Sequence, residues 1–213
     1  MSQQTLARRE REALCTLMLE VGPDAPTLCG GWTTRDLAAH LVLRESRPDA
    51  AGGIVIPSLA SYTAKVQAQI AARPWTDLVK AVRTGPPRWS PQSIERLDVE
   101  SNTVEFFVHH EDVRRAVDPW VARDLSADDS AQLWPRVGRI GKLLLRRCPS
   151  GVSVRPTDGS AVGTNVRLRA GSSDVNLEGP VGEIVLALFG RPTSGLEMRG
   201  SESDVAGFLA FPR

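Results

Sequence analysis

The stretch NTVEFFVHHEDVRRAV, residues 102–117, carries two of the three histidines in the chain, His109 and His110. Val104, Phe107, Val108 and Val113 recur at helical spacing, and no glycine or proline interrupts before Pro119. The stretch predicts a helix, with Ser101 or Asn102 available as its N-cap. Arg114 and Arg115 fall near its C-terminal end, where positive charge suits the helix dipole. Four residues turn an α-helix through about 400°, so Glu105 and His109 share a face, whereas His110 points about 140° away from Glu105. A carboxylate and an imidazole one turn apart can hold a divalent cation from a single helix. A third ligand has to come from elsewhere, and the remaining histidine is His40.

His40 lies in TTRDLAAHLVLRE, a second predicted helix that begins at Thr33 or Thr34. Asp36, three residues after Thr33, completes a capping box with Asp in place of Glu. Leu37, His40, Leu41 and Arg44 fall on nearby faces, so His40 projects beside leucines toward the interior. Such a histidine is either a satisfied core residue or a ligand, and the helix alone does not choose.

Around these two segments the chain reads as ordinary globular protein. Of its 213 residues, 41% are hydrophobic and 24% charged, and the formal net charge is +1. That length can bury a core, and that charge points to neither nucleic acid nor an acidic membrane as a partner. Cys15, Cys29 and Cys148 are too sparse for a disulfide framework and form no Cys-x-x-Cys pair, which fits a reducing cytoplasm. The N-terminal MSQQTLARRERE is charged and lacks the apolar run of a signal peptide, and no segment reaches the roughly 20 apolar residues of a membrane span.

Taken in order, residues 3–21 predict an amphipathic helix with Leu6, Leu14, Leu17, Met18 and Val21 inward and Arg8, Arg9, Glu10, Arg11 and Glu12 solvated. Residues 45–57 read as irregular. Residues 58–82 predict another helix, broken by Pro74. With the 102–117 helix, these make an antiparallel four-helix bundle. Ser126 caps a further helix, 127–147, which contains Pro135. Beyond Cys148 the texture changes, placing a domain boundary near residue 149. Val152 and Val154, Val166 and Leu168, and Val175 and Leu177 predict three short antiparallel strands. PVGEIVLALFGR predicts a helix with Pro180 in its first turn and Gly190 at its C-cap, followed by a last strand and a short capped helix.

Two motifs carry a family resemblance. Trp32, Thr33, Asp36, Leu37, His40 and Leu41 in GGWTTRDLAAHL, with Glu105, His109, Asp112 and Arg114 in VEFFVHHEDVRRA, resemble the mycothiol-dependent maleylpyruvate isomerase family. That family is a branch of the DinB-like metal-binding bundles, and the match is nearest to its actinobacterial metal-binding proteins. GPVGEIVLALFGR is similar to the family's C-terminal helix. The resemblance implies a DinB-like four-helix bundle over 1–148 and a small α+β, sterol-carrier-like domain over 149–213. It implies a divalent metal, typically Zn2+, on His40, Glu105 and His109, with one coordination position open.

It also implies mycothiol as a thiol cosubstrate and a small-molecule electrophile as substrate, in an isomerase or a thiol transferase. A metal-dependent hydrolase and a non-catalytic metal- or ligand-binding module are the alternatives, and a homodimer is compatible with all of them. Arg114, Arg115 and Arg191 are candidates for pairing a substrate carboxylate, or are solvated surface residues. Asp112 either orients an imidazole or is a surface charge. Cys29 reads as a small buried hydrophobe that has the metal within possible reach.

Overall fold

The computed structural model describes residues 4–54, 56–87 and 95–212, and the chain divides into two compact units, Met1–Trp120 and Val121–Arg213. The first is helical: α1 (Leu6–Val21), α2 (Thr34–Ser46), a single turn α3 (Pro48–Ala51), α4 (Ala60–Ala71), α5 (Trp75–Thr84) and α6 (Glu95–Arg114). The expected 58–82 helix is split where Pro74, which has no backbone N–H, takes the N-cap of α5. α1 lies along α6 and α5, and α2 lies along α4 and α5, so the four helical arms form the bundle expected from the sequence. Leu14, Met18, Leu37, Leu41, Leu78 and Phe106 are among the side chains buried at its centre.

α6 starts several residues earlier than Ser101 and Asn102, so neither caps it. Asn102 is instead buried inside the helix, where its Nδ2 donates to Glu45 Oε1 at 2.8 Å. From Asn102 to Val113 every residue of α6 is buried except Glu105 and His109. The expected apolar stripe is therefore one part of a helix surrounded on nearly all sides.

The solvated face predicted for α1 is also corrected. Arg8 and Glu12 are exposed, but Glu10 and Arg11 are buried. Arg11 donates to both carboxylate oxygens of Glu45, at 2.7 and 2.6 Å, and to the Val82 carbonyl at 2.8 Å. Its guanidinium also lies 4.1 Å from the centre of the Phe106 ring. Glu10 Oε2 stands 2.7 Å from His110 Nδ1. Charge in the sequence pattern was read as exposure, but long side chains with partners across the bundle can be buried when each is paired.

The second unit contains α7 (Ala127–Leu144), β1 (Gly151–Pro156), β2 (Val166–Arg169), β3 (Asp174–Gly179), α8 (Val181–Leu188), β4 (Glu197–Arg199) and α9 (Glu202–Ala210). The sequence boundary near 149 assigns α7 to the bundle, whereas the division at Trp120 assigns it to the sheet. The reason is packing: α7 lies against α8 and β2, and Gly141 lets it close on the strand. A Cβ at Gly141 would stand 2.6 Å from Leu168 Cδ1. The helix runs from its Ser126 cap through Pro135 to Leu144.

The sheet has the order β2-β1-β3-β4 and is mixed. β1 pairs antiparallel with β2 but parallel with β3, in the register Val152↔Val175 and Val154↔Leu177, and β3 pairs antiparallel with β4. The all-antiparallel expectation fails because alternation reports which residues face the core, not the direction of the neighbour. Of the residues that alternation places on the core face, Val152, Val154, Leu168, Val175 and Leu177 are buried, whereas Val166 is half-buried.

The Arg11–Glu45 pair sets a test of this account. Glu45→Ala leaves a buried guanidinium without its carboxylate, and the expected loss is about 3 kcal/mol or more in urea unfolding monitored by circular dichroism. A loss under about 1 kcal/mol would mean that the pair is no more than a surface-grade contact.

Candidate metal centre

Three segments of the first unit build the site. The first is α2. Thr33 caps it, its N–H donating to Asp36 Oδ2 at 2.9 Å while Asp36 N–H donates back to Thr33 Oγ1 at 3.4 Å. This fixes where the helix begins, and His40 follows on the second turn, 8% exposed. The second segment is α6, which presents Glu105 and His109 one turn apart. The third is the loop before α2. The Leu28 N–H donates to the Asp112 carbonyl at 2.9 Å, and the Trp32 N–H donates to the Cys29 carbonyl at 2.8 Å. The loop is thereby tied to α6, with Cys29 and Trp32 beside the histidines.

His40, Glu105 and His109 converge. Glu105 Oε1 lies 3.4 Å from His40 Nε2 and 3.3 Å from His109 Nε2, and one donor atom from each residue falls within 4.8 Å of the others. The two imidazole rings meet edge to face with centroids 5.6 Å apart, and the Trp32 ring packs 5.1 Å from that of His40. Arg44, one turn after His40 on α2, brings Nε to 3.4 Å from the same Glu105 oxygen and also donates to Asn102 Oδ1. His110, as its place on the helical wheel requires, faces α1 and Glu10 instead.

Behind His109 lies a second layer. Asp112 is fully buried, and its Oδ2 stands 2.9 Å from His109 Nδ1. The Cys29 thiol donates to the same oxygen at 3.0 Å, and its Sγ is 3.6 Å from Nδ1. Of the two sequence readings for Asp112, the structure supports the one that orients an imidazole. Cys29 departs from its expected role as a plain hydrophobe, because it is half-buried and hydrogen-bonded. Cys29, His109 and Asp112 form a second group of donors within 4.8 Å of one another. Its place in LCGGW, just before the His40 helix, put Cys29 within reach of the site, but a loop has no periodicity with which to aim it at Asp112.

The arginine candidates lie in other surroundings. Arg114 donates to Glu111 Oε1 at 2.8 Å, and Arg115 donates to Glu111 Oε2 at 2.6 Å with its guanidinium over Trp120. Arg191 belongs to the second unit and donates to the Phe189 carbonyl at 2.8 Å.

Electrostatics follow from this packing. Burial alone pushes the Glu105 carboxyl up, but hydrogen bonds from His109 and His40 and the charge of Arg44 outweigh it and hold the group well below the usual carboxylate range. Burial likewise pulls His109 down, yet Asp112, Cys29 and Glu105 together raise it well above the usual imidazole value. The cluster therefore pairs an anionic carboxylate with a His109 that favours its protonated form. A divalent cation taking that proton's place would meet one carboxylate oxygen and two imidazole nitrogens, a donor set suited to zinc and to neighbouring first-row divalent metals.

No family model matches the sequence, and no curated protein matches it. Among solved structures, the chain is similar to the mycothiol-dependent maleylpyruvate isomerase, with a TM-score of 0.60 and 16% identity over 91% of this chain and 90% of that one. A histidine-to-alanine mutant of the isomerase gives a TM-score of 0.58 with the same identity and coverage. The likeness is one of fold: a helical N-terminal region followed by a mixed four-stranded sheet with helices. Among the described residues, no helix is long and apolar enough to cross a membrane.

The capping box that begins α2 is the local determinant of where His40 stands. Thr33→Ala removes the side-chain acceptor, and the expected cost is about 1 kcal/mol, read as a lowered midpoint in thermal or urea unfolding. A midpoint unchanged from wild type would show that the loop contacts alone set the start of α2.

Proposed function

We propose that the chain binds a divalent metal through His40, Glu105 and His109, and that it is a zinc-dependent enzyme joining a low-molecular-weight thiol, mycothiol, to a small electrophile as a transferase or isomerase. The observation that carries this reading is the spacing of the three donors. Two ligand atoms each about 2.0–2.1 Å from a tetrahedral zinc stand about 3.3–3.4 Å apart. The Glu105–His40 and Glu105–His109 edges are 3.4 and 3.3 Å. A zinc held by His40, Glu105 and His109 would keep a fourth position for a thiol and would supply the acidity that makes a bound thiol a nucleophile at neutral pH.

The protein's own groups have separate tasks in this reading. Asp112 accepts the Nδ1–H of His109, which orients the ring and turns Nε2 toward the space beside Glu105 and His40, where a metal would take the place of the Nε2 proton. Cys29, by donating to Asp112, holds that carboxylate in place. Arg44 keeps Glu105 ionised and aimed inward. Trp32 packs beside His40 and limits its ring to one orientation.

Metal analysis of the purified protein tests the first half of the proposal. Wild type is expected to hold about one zinc per chain, and His40→Ala, Glu105→Ala and His109→Ala are each expected to lose it while keeping a native circular dichroism spectrum. Wild type that takes up no divalent metal overturns the reading. For zinc-loaded protein supplied with mycothiol and a panel of electrophiles, the expected product is a thiol adduct or an isomerised electrophile, detected by mass spectrometry.

The layer behind His109 gives a graded prediction. Asp112→Asn preserves size but removes the charge, so metal affinity is expected to fall about 10–100-fold in competition with a chromophoric chelator.

A further inference from the structure

Next to His40 lies a cavity of about 430 Å3, open on one side, whose walls come from α2 and α4. α2 contributes Asp36 and His40, one turn apart. α4 contributes Ala60, Ala64 and Ala68, which recur every four residues and so share one face. Trp32 supplies a flat aromatic wall, and Thr63 and Gln67 complete the described lining together with Gly53. The alanines keep this face shallow, and their exposure shows that the space opens to solvent.

The polar groups here have a definite sense. Thr63 gives its hydroxyl hydrogen to the Ala50 carbonyl. Gln67 donates Nε2–H to the Asp36 carbonyl at 3.3 Å, which leaves Oε1 to accept. Asp36 already accepts the N–H and O–H of Thr33 on Oδ2, and its charge remains on the wall. The described lining contains no lysine or arginine. Arg35, beside Asp36 on α2, donates to the Ala71 and Arg73 carbonyls, and Arg44 stands against Glu105 and donates to Asn102. On the Asp36–Gln67 wall an entering donor would be satisfied, whereas a carboxylate would meet a negative charge and an amide oxygen.

We propose that this cavity takes a flat, uncharged or cationic aromatic molecule bearing a hydrogen-bond donor, and that its own lining disfavours carboxylates. The inference deepens the proposed function, on which it rests, by narrowing the class of electrophile: an aromatic compound that carries a hydroxyl, amide or amine besides its electrophilic centre, rather than a dicarboxylate. The apolar body lies on Trp32 and the alanine face, and the donor reaches Asp36 or Gln67. In that pose the molecule is next to His40, and so beside the metal centre.

Three matched probes, benzyl alcohol, benzylamine and benzoate, test this by nitrogen–proton correlation spectra of the full chain, with zinc and after chelation. Benzyl alcohol and benzylamine are expected to shift the amides of Ala64 and Ala68 in both preparations. Benzoate is expected to be about tenfold weaker or more in the zinc-free protein, where it has no metal to bind. Ala64 and Ala68 are exposed, so Ala64→Arg and Ala68→Arg are expected to fold, to weaken benzyl alcohol and to strengthen benzoate. The proposal is overturned if benzoate equals or exceeds benzyl alcohol in zinc-free wild type, or if no probe moves these amides. Metal content measured on the same samples separates that failure from a failure of the metal reading.

Discussion

The bundle depends on one buried ion pair. Arg11 reaches from α1 into the interior, where Glu45 of α2 meets it with both oxygens and the Val82 carbonyl of α5 takes a further hydrogen bond. Its flat face covers Phe106 of α6. A guanidinium taken out of water costs several kcal/mol unless it is fully paired, and these partners come from three other helices. The pair therefore works as a register device: the helices that supply its partners must stand at the depth where those partners meet Arg11. Apolar packing alone would tolerate some sliding, because leucines accept one another in many arrangements.

That register is transmitted toward the candidate metal centre by a chain of polar contacts. Glu45 accepts from Asn102, Asn102 accepts from Arg44, and Arg44 stands against Glu105. Each step alternates between α2 and α6, the two helices that carry His40 and the Glu105–His109 pair. The conflict between low dielectric and buried charge is thus resolved once for the core and once for the site by the same connected groups. It also explains why α6 is buried everywhere from Asn102 to Val113 except at Glu105 and His109. Those two positions are where the surrounding helices leave room.

The parts of this arrangement that the sequence displayed are those governed by helical periodicity. Four-residue spacing put Glu105 and His109 on one face and turned His110 away, and the Thr33–Asp36 box marked the start of α2. What stayed hidden depended on partners distant in the chain. Glu10 and Arg11 looked solvated because their partners, His110 and Glu45, lie in other helices. Asn102 looked like a cap because its acceptor, Glu45, is also on α2. For Cys29, proximity to the His40 helix showed but its contact with Asp112 did not, because a loop residue is aimed by loop hydrogen bonds. In the second unit, alternation identified the buried faces of β1 and β3, but a parallel neighbour and an antiparallel one bury the same residues.

The two nitrogens of His109 divide the site into a rigid side and an open side. Nδ1 is held by a fully buried Asp112, itself held by Cys29, which the loop hydrogen bonds fix in turn. Nε2 faces Glu105 and His40, and beyond His40 lies the cavity with its alanine face. Groups on the Nδ1 side are buried or tied to the backbone, so their positions are set by folding. On the other side, small side chains leave space. A ring so anchored loses little freedom when Nε2 engages a ligand, since its orientation is already fixed. The rigid side is made by α6 and the loop before α2, and the open side by α2 and α4.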